Sequence, residues 1–252
     1  MHFASLGSGS KGNATLVRKN ATCLLVDNGF SVKEAELRLA RLGVEAEQLT
    51  AILVTHEHGD HIRGVGPLAR KYGIPVWTTR GTASHVGLGE LPILHYIDVH
   101  QPLGLGDIEV QPFPVPHDAR EPCQFAFEDG AKRLGVLTDT GSTTTHIVQQ
   151  LSGCDALVLE CNHDTTMLMN GSYPESLKAR VGGRFGHLSN EQAAELLGQL
   201  DTRRLQHLVA AHLSEQNNTP DLACCALSEV LNCEPDWITV AQQDSGLDWR
   251  EI

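Results

Sequence analysis

Three imidazoles and two carboxylates crowd the segment Thr55-His56-Glu57-His58-Gly59-Asp60-His61, directly after the apolar run Ala51-Ile52-Leu53-Val54. So many ionisable groups in consecutive positions are costly unless cations compensate them, and the segment reads as a two-metal site. In an extended chain leaving a strand, His56 and His58 project to the same side and can grip one ion together. Asp60 and His61 come as the chain turns towards a helix and can face a second ion. Nitrogen-rich ligation with one or two carboxylates suits zinc, and also manganese or iron, whereas magnesium and calcium prefer oxygen shells. The bland alternative, a histidine-rich surface loop, weakens once the other histidines are placed.

Residues of this kind must be held by a rigid frame, and the rest of the chain offers one. Short apolar runs near 2–6, 14–18 and 22–27 predict an opening antiparallel meander, with further strands near 51–55, 108–113, 123–128, 132–138, 156–160 and 207–211. Helix starts are expected at Ser31-Val32-Lys33-Glu34, Ser172-Tyr173-Pro174-Glu175 and Ser189-Asn190-Glu191-Gln192, which have the form of capping boxes, and at Thr219-Pro220. Strands in two clusters flanked by helices predict an α/β fold of two mixed sheets packed face to face with helices outside, an αββα sandwich. No linker or low-complexity stretch divides it, so residues 1–252 are expected to form a single domain.

The motif matches H-x-H-x-D-H, and with four other segments it resembles the metallo-β-lactamase superfamily. The resemblance implies that Asp27, after Cys23-Leu24-Leu25-Val26, orients a ligand histidine, and that His117 in Pro114-Val115-Pro116-His117-Asp118 completes the first metal site. It further implies that Asp139 in Leu137-Thr138-Asp139-Thr140-Gly141 bridges both ions and that His212 in Ala210-Ala211-His212-Leu213-Ser214 completes the second. The implied metal set is His56, His58, Asp60, His61, His117, Asp139 and His212. Three further stretches, Ser5-Leu6-Gly7-Ser8-Gly9-Ser10-Lys11-Gly12-Asn13, Leu159-Glu160-Cys161-Asn162-His163-Asp164 and Gly186-His187-Leu188-Ser189-Asn190-Glu191, are similar to the bacterial YycJ/WalJ family. That family implies a cytoplasmic, nuclease-like metallohydrolase.

Composition permits this reading and trims it. No apolar stretch approaches the ~18–20 residues of a membrane span, and Met1-His2-Phe3-Ala4-Ser5 has no signal-peptide character, so a soluble cytoplasmic protein is expected. Seven cysteines without a C-x-x-C pair suit free thiols in a reducing compartment better than a disulfide frame. A formal charge of −12 argues against a protein that wraps duplex DNA, whose affinity comes from basic surface. It leaves room for an enzyme that holds one phosphodiester, with local cations at Arg63, Arg70, Lys71, Lys178, Arg180, Arg184, Arg203 and Arg204.

Gly7, Gly9 and Gly12 spell G-x-G-x-x-G, but the strand pattern Ala14-Thr15-Leu16-Val17 follows where a dinucleotide site needs a helix. A glycine-rich hairpin is expected, with a variant in which Ser8 or Asn13 approaches substrate phosphate. His187 resembles the histidine that phosphodiesterases of the superfamily place beside the scissile bond, where it protonates the leaving oxygen or binds a phosphate oxygen. His163 is divided between an extra active-site group and a structural loop residue. The resulting chemistry is in-line attack on phosphorus by a hydroxide bridging two divalent cations, with Asp60 and His187 as catalytic residues and a nucleic acid or small phosphodiester as substrate. A thioester or other small-molecule hydrolase uses the same ligands, and a noncatalytic regulator of this fold stands as the alternative of a different class.

Overall fold

The computed structural model describes residues 1–252, and its strands begin where the apolar runs begin. They are β1 (His2–Gly7), β2 (Ala14–Lys19), β3 (Thr22–Val26), β4 (Ala51–Leu53), β5 (Val76–Thr78), β6 (Leu94–Tyr96) and β7 (Leu103–Leu105). They continue as β8 (Ile108–Pro114), β9 (Cys123–Glu128), β10 (Arg133–Leu137), β11 (Ala156–Glu160), β12 (His207–Ala211), β13 (Thr239–Val240) and β14 (Leu247–Glu251). Two seven-stranded sheets result, ordered β14-β1-β2-β3-β4-β5-β6 and β13-β12-β11-β10-β9-β8-β7. Each is mixed. β3 to β6 run parallel in the first, β10 to β13 run parallel in the second, and antiparallel strands complete both.

The helices are α1 (Val32–Arg41), α2 (Gly59–Ile62), α3 (Val65–Tyr72), α4 (Arg80–Ala83), α5 (Thr145–Leu151), α6 (Thr165–Asn170), α7 (Glu175–Val181), α8 (Asn190–Gln199) and α9 (Pro220–Leu231). Three apolar layers establish the αββα sandwich. Phe3, Leu24, Leu53, Phe125, Phe127 and Val209 meet between the sheets. Ala35 and Leu39 of α1 with Val65 and Leu68 of α3 cover the outer face of the first sheet. Ile147, Leu196 and Leu227, from α5, α8 and α9, cover the second. Each such valine, leucine, isoleucine or phenylalanine, fully removed from water, contributes roughly 1.5–3 kcal/mol, which makes these layers the source of the frame's rigidity.

Caps fix the helix starts as the sequence predicts at three of four places. The Ser31 hydroxyl accepts from Glu34 N, Ser189 and Gln192 form a reciprocal capping box, and Thr219 caps α9 ahead of Pro220. Ser172 does not cap. α7 begins at Glu175 with Pro174 as its flanking residue, because a proline disfavours helical backbone in the residue before it and so excludes Tyr173. The strands absent from the sequence reading, β5, β6, β7, β13 and β14, are short or lie towards sheet edges, where the alternating signal is too brief to see. The glycine-rich segment is a hairpin turn between β1 and β2, which pair antiparallel.

Candidate active site

The C-terminal ends of the parallel strands all open on one edge of the sandwich. β3 leads to Asp27, β4 to the histidine run, β10 to Asp139, β11 ends on Glu160 and β12 leads to His212. Asp27, Asp139 and His212 have φ of 60°, 53° and 57°. Left-handed backbone is rare for residues with a Cβ and persists only where the surroundings over-determine it. Here it turns a side chain sharply out of strand direction and into the site.

Four imidazoles are held by Nδ1, leaving Nε2 to face the centre. His61 Nδ1 donates to Asp27 Oδ2 at 2.8 Å, and His117 Nδ1 donates to the Gly186 carbonyl at 2.9 Å. His212 Nδ1 donates to Glu160 Oε1 at 3.1 Å. The Thr55 hydroxyl donates to Asp27 Oδ2 at 2.8 Å, so it accepts from His56 Nδ1 at 2.9 Å. His58 is oriented the other way: its Nε2 lies 3.3 Å from the Asp118 carbonyl, and its Nδ1 lies 3.2 Å from His117 Nε2. Such outer partners fix the tautomer and ring direction of a metal-binding histidine.

Two main donor sets emerge: His56, His58 and His117 converge on one point, and Asp60, His61 and His212 on another, while His56–His61–Asp139 and Asp139–Glu160–His187–His212 form further groups that connect them. Asp139 lies between them, with one oxygen 3.1 Å from His61 Nε2 and the other 3.9 Å from His117 Nε2. All seven residues predicted as ligands are thus brought together. Glu57, inside the same run, points away: it accepts from Arg120 N and Thr82 Oγ1, tying down neighbouring loops.

Does this cluster fit divalent ions? At its centre, buried His56 Nε2 has no hydrogen-bond partner, and buried Asp139 Oδ2 has none besides the His61 Nε2 that lies 3.1 Å away. An orphaned buried acceptor is costly, and a cation between these atoms satisfies both. The charge pattern agrees. Burial, reinforced by the neighbouring His61, holds His56 well below the usual imidazole range. Burial also opposes charge on His61 and His212, yet the surrounding carboxylates prevail, raising His61 well above its ordinary value and His212 to about 10. Asp60 and Asp139 are held far below the usual carboxylate range by the same imidazoles, despite burial. Carboxylates and imidazoles here lean on each other for charge that ions supply when bound.

Ser8 and Asn13 are buried and turned into the frame. The Ser8 hydroxyl accepts from His212 N at 2.8 Å, and Asn13 Nδ2 reaches Asp60 Oδ2 at 3.3 Å and His61 Nε2 at 3.2 Å. A close approach makes this possible: a Cβ on Gly29 would sit 1.8 Å from the Asp60 carbonyl oxygen. His163 is buried behind the site, bridged to Ser189, and lines a neighbouring cavity between α6, α7 and α8. His187 stands at the rim of the central cavity, about 380 Å³ in volume, with its Nδ1 donating to Glu160 Oε1 at 2.8 Å and 3.6 Å from Asp139.

Glu160 is the residue that sequence reasoning missed. It is fully buried and accepts from His187 and His212 side chains and from the Thr140 and Leu188 amides. Burial pushes its carboxyl up, but the two imidazoles outweigh this and hold it down at about 2. The available signal was a lone acid ending the apolar run Ala156-Leu157-Val158-Leu159, a position that a buried strand seldom gives to a carboxylate without partners.

A family profile described as beta-lactamase superfamily domain matches residues 22–210. The chain is 40% identical over 235 residues to exodeoxyribonuclease YycJ of Bacillus anthracis, covering 92% of this chain and 89% of that one. It is 37% identical to exodeoxyribonuclease WalJ of Streptococcus pneumoniae, covering 88% and 84%. Among solved structures, the metallo-beta-lactamase fold protein YhfI from Bacillus subtilis superimposes with a TM-score of 0.74 at 18% identity over 99% of both chains. The chain belongs to the metallo-β-lactamase superfamily and, within it, to the family of YycJ and WalJ. Family and site together make it a metal-dependent hydrolase.

Proposed function

We propose that the protein is a dinuclear metal-dependent phosphodiesterase, a nuclease acting on DNA, with His56, His58 and His117 holding one ion, Asp60, His61 and His212 the other, and Asp139 spanning both. The observation that carries the phosphodiester reading is His187: it lies outside the two donor sets, faces the cavity, and is held by Glu160, which raises its pKa against the effect of burial. A histidine whose proton is held more firmly by a carboxylate at Nδ1 suits an alkoxide leaving group, whereas a thiolate departs without a proton. The names of the two relatives support DNA as the polymer and attack from an end.

Bound divalent ions supply Lewis-acid charge stabilisation and bring the pKa of water close to neutrality. The protein's own part is to hold and move protons. Asp60, ionised and hydrogen-bonded by Asn13, would accept a hydrogen bond from the attacking water and orient it. His187 donates a proton to the departing oxygen through Nε2, while Glu160 fixes its Nδ1 and thereby its direction. Zinc is the favoured metal because the donor set is rich in imidazole, with manganese or iron next. Continuous packing between both sheets supports one domain over residues 1–252, and seven free cysteines, five of them buried, support a reducing cytoplasm.

The test loads the purified protein with zinc or manganese and offers labelled single- and double-stranded DNA and RNA, a bis-nitrophenyl phosphodiester and an acyl thioester. Metal-dependent cleavage of DNA from its ends is expected. Thioester turnover without phosphodiester turnover overturns the reading.

A further inference from the structure

Most of the basic residues that the sequence groups together are committed elsewhere. Arg63 donates to the Gly29 and Lys11 carbonyls, and Arg70 to the Leu88 and Glu90 carbonyls. Lys178 binds Glu175 and the Met169 carbonyl, and Arg203 and Arg204 pair with Asp201 and Asp155. Arg180 alone among lysines and arginines lines the central cavity, where Asp60, Asp118 and Asp139 also face the opening. Its Nε donates to Asp118 Oδ2 at 2.6 Å, while the side chain stays 59% exposed.

Asp118 links that arginine to the metal-binding edge, with its other oxygen 3.5 Å from His58 Nε2 and 3.6 Å from His117 Nε2. α7, which carries Arg180, buries none of its residues, yet its last turn is braced to the catalytic machinery: the Val181 carbonyl accepts from His187 N at 2.8 Å. A Cβ on Gly186 would meet the Arg180 and Val181 carbonyls at 2.2 Å, so this close approach requires glycine. Tyr173, just before α7, lines the same cavity. One wall of the cavity is therefore fixed relative to His187 and otherwise unused by the fold.

We propose that Arg180 is the specificity-determining residue that takes the phosphate next to the scissile one, leaving Asp118 for the substrate, and that Tyr173 offers its ring to the neighbouring base. This rests on the phosphodiesterase reading above. A planar guanidinium matches a phosphate by paired hydrogen bonds, and a half-exposed ion pair such as Arg180–Asp118 is weakly held and readily exchanged. Asp118 keeps the guanidinium aimed into the cavity while the cavity holds no polyanion. Sequence-tolerant stacking on an aromatic ring is the usual companion of such a contact on single strands.

The experiment compares a short oligodeoxynucleotide with bis-nitrophenyl phosphate, which has no second phosphate, on the metal-loaded protein. Arg180→Ala is expected to raise KM for the oligonucleotide about tenfold or more, the loss of one charge-assisted contact, with a much smaller change for the aryl diester. Arg180→Lys should recover part of the loss. Asp118→Asn should move the oligonucleotide KM the opposite way, downwards, because it removes the competing carboxylate. Equal losses on both substrates, a shift of KM in the same direction in the Arg180 and Asp118 variants, or loss of metal from Arg180→Ala would each overturn the inference. Wild-type protein that cleaves the aryl diester but responds to Arg180→Ala in neither substrate defeats the inference alone; wild-type protein that cleaves neither defeats the phosphodiesterase reading beneath it.

Discussion

The two halves of the sandwich build their share of the site in different ways. The first sheet contributes His56, His58, Asp60 and His61 from one continuous run after β4, backed by a single carboxylate, Asp27. The second sheet contributes His117, Asp139 and His212 from three separate strand ends, with Glu160 bonded to two histidines at once. The first half is a local motif on a scaffold; the second is an assembly whose members meet only through sheet pairing. The difference implies that damage in the first half stays local, while damage in the second spreads from metal binding to proton transfer.

The severest break is expected at Asp139, which alone reaches both donor sets. Asp139→Asn keeps size and removes charge, and hydrolysis should fall by at least about 10³-fold, since the ions contribute several kcal/mol of charge stabilisation. Elemental analysis should show metal content falling towards one ion per chain. Full activity with two ions retained would sink the spanning role.

His187→Ala tests the proton-transfer arm while leaving all seven candidate ligands in place. A loss of about 10²-fold or more is expected on DNA, and much less on a nitrophenyl ester whose leaving group departs unprotonated. Both ions should remain bound. If one is lost, His187 is a ligand.

Glu160→Gln and Asp27→Asn form the sharpest pair, because each weakens one histidine-orienting carboxylate in one half. Both should cost roughly 10–100-fold in metal affinity or activity. Only Glu160→Gln should also move the pH profile. Glu160 raises the His187 pKa, so its removal lets His187 lose its proton at lower pH, and the alkaline limb of kcat should shift down. An unmoved limb would detach Glu160 from proton transfer; a shifted limb in Asp27→Asn would erase the contrast between halves.

A smaller effect concerns protons released on metal binding. In the ion-free protein the surrounding carboxylates raise the pKa of His61 and bring that of His212 to about 10, so ions must displace the His212 proton to bind at pH 7. Calorimetry in buffers of different ionisation enthalpy should show net proton release at pH 7, with apparent affinity rising as pH rises towards 10. Proton-neutral binding would mean that the imidazoles are already deprotonated.

The amino-acid sequence determined a good deal by itself. The apolar runs located the long strands, Ser31, Ser189 and Thr219 marked their helix starts, and the crowding of imidazoles at 56–61 announced a metal site because such a cluster is intolerable without compensating charge. The family resemblance nominated His117, Asp139 and His212. The sequence could not show that Glu160 accepts from two histidines, that Ser8 and Asn13 face inward to the frame, that Glu57 faces away from the site, or that Arg180 alone among the basic residues lines the cavity. Those facts depend on which strand ends share an edge and on three left-handed turns that re-aim Asp27, Asp139 and His212. Local sequence encodes propensity and pattern over a few residues, while a site drawn from six strand ends exists only once long-range pairing has set their order.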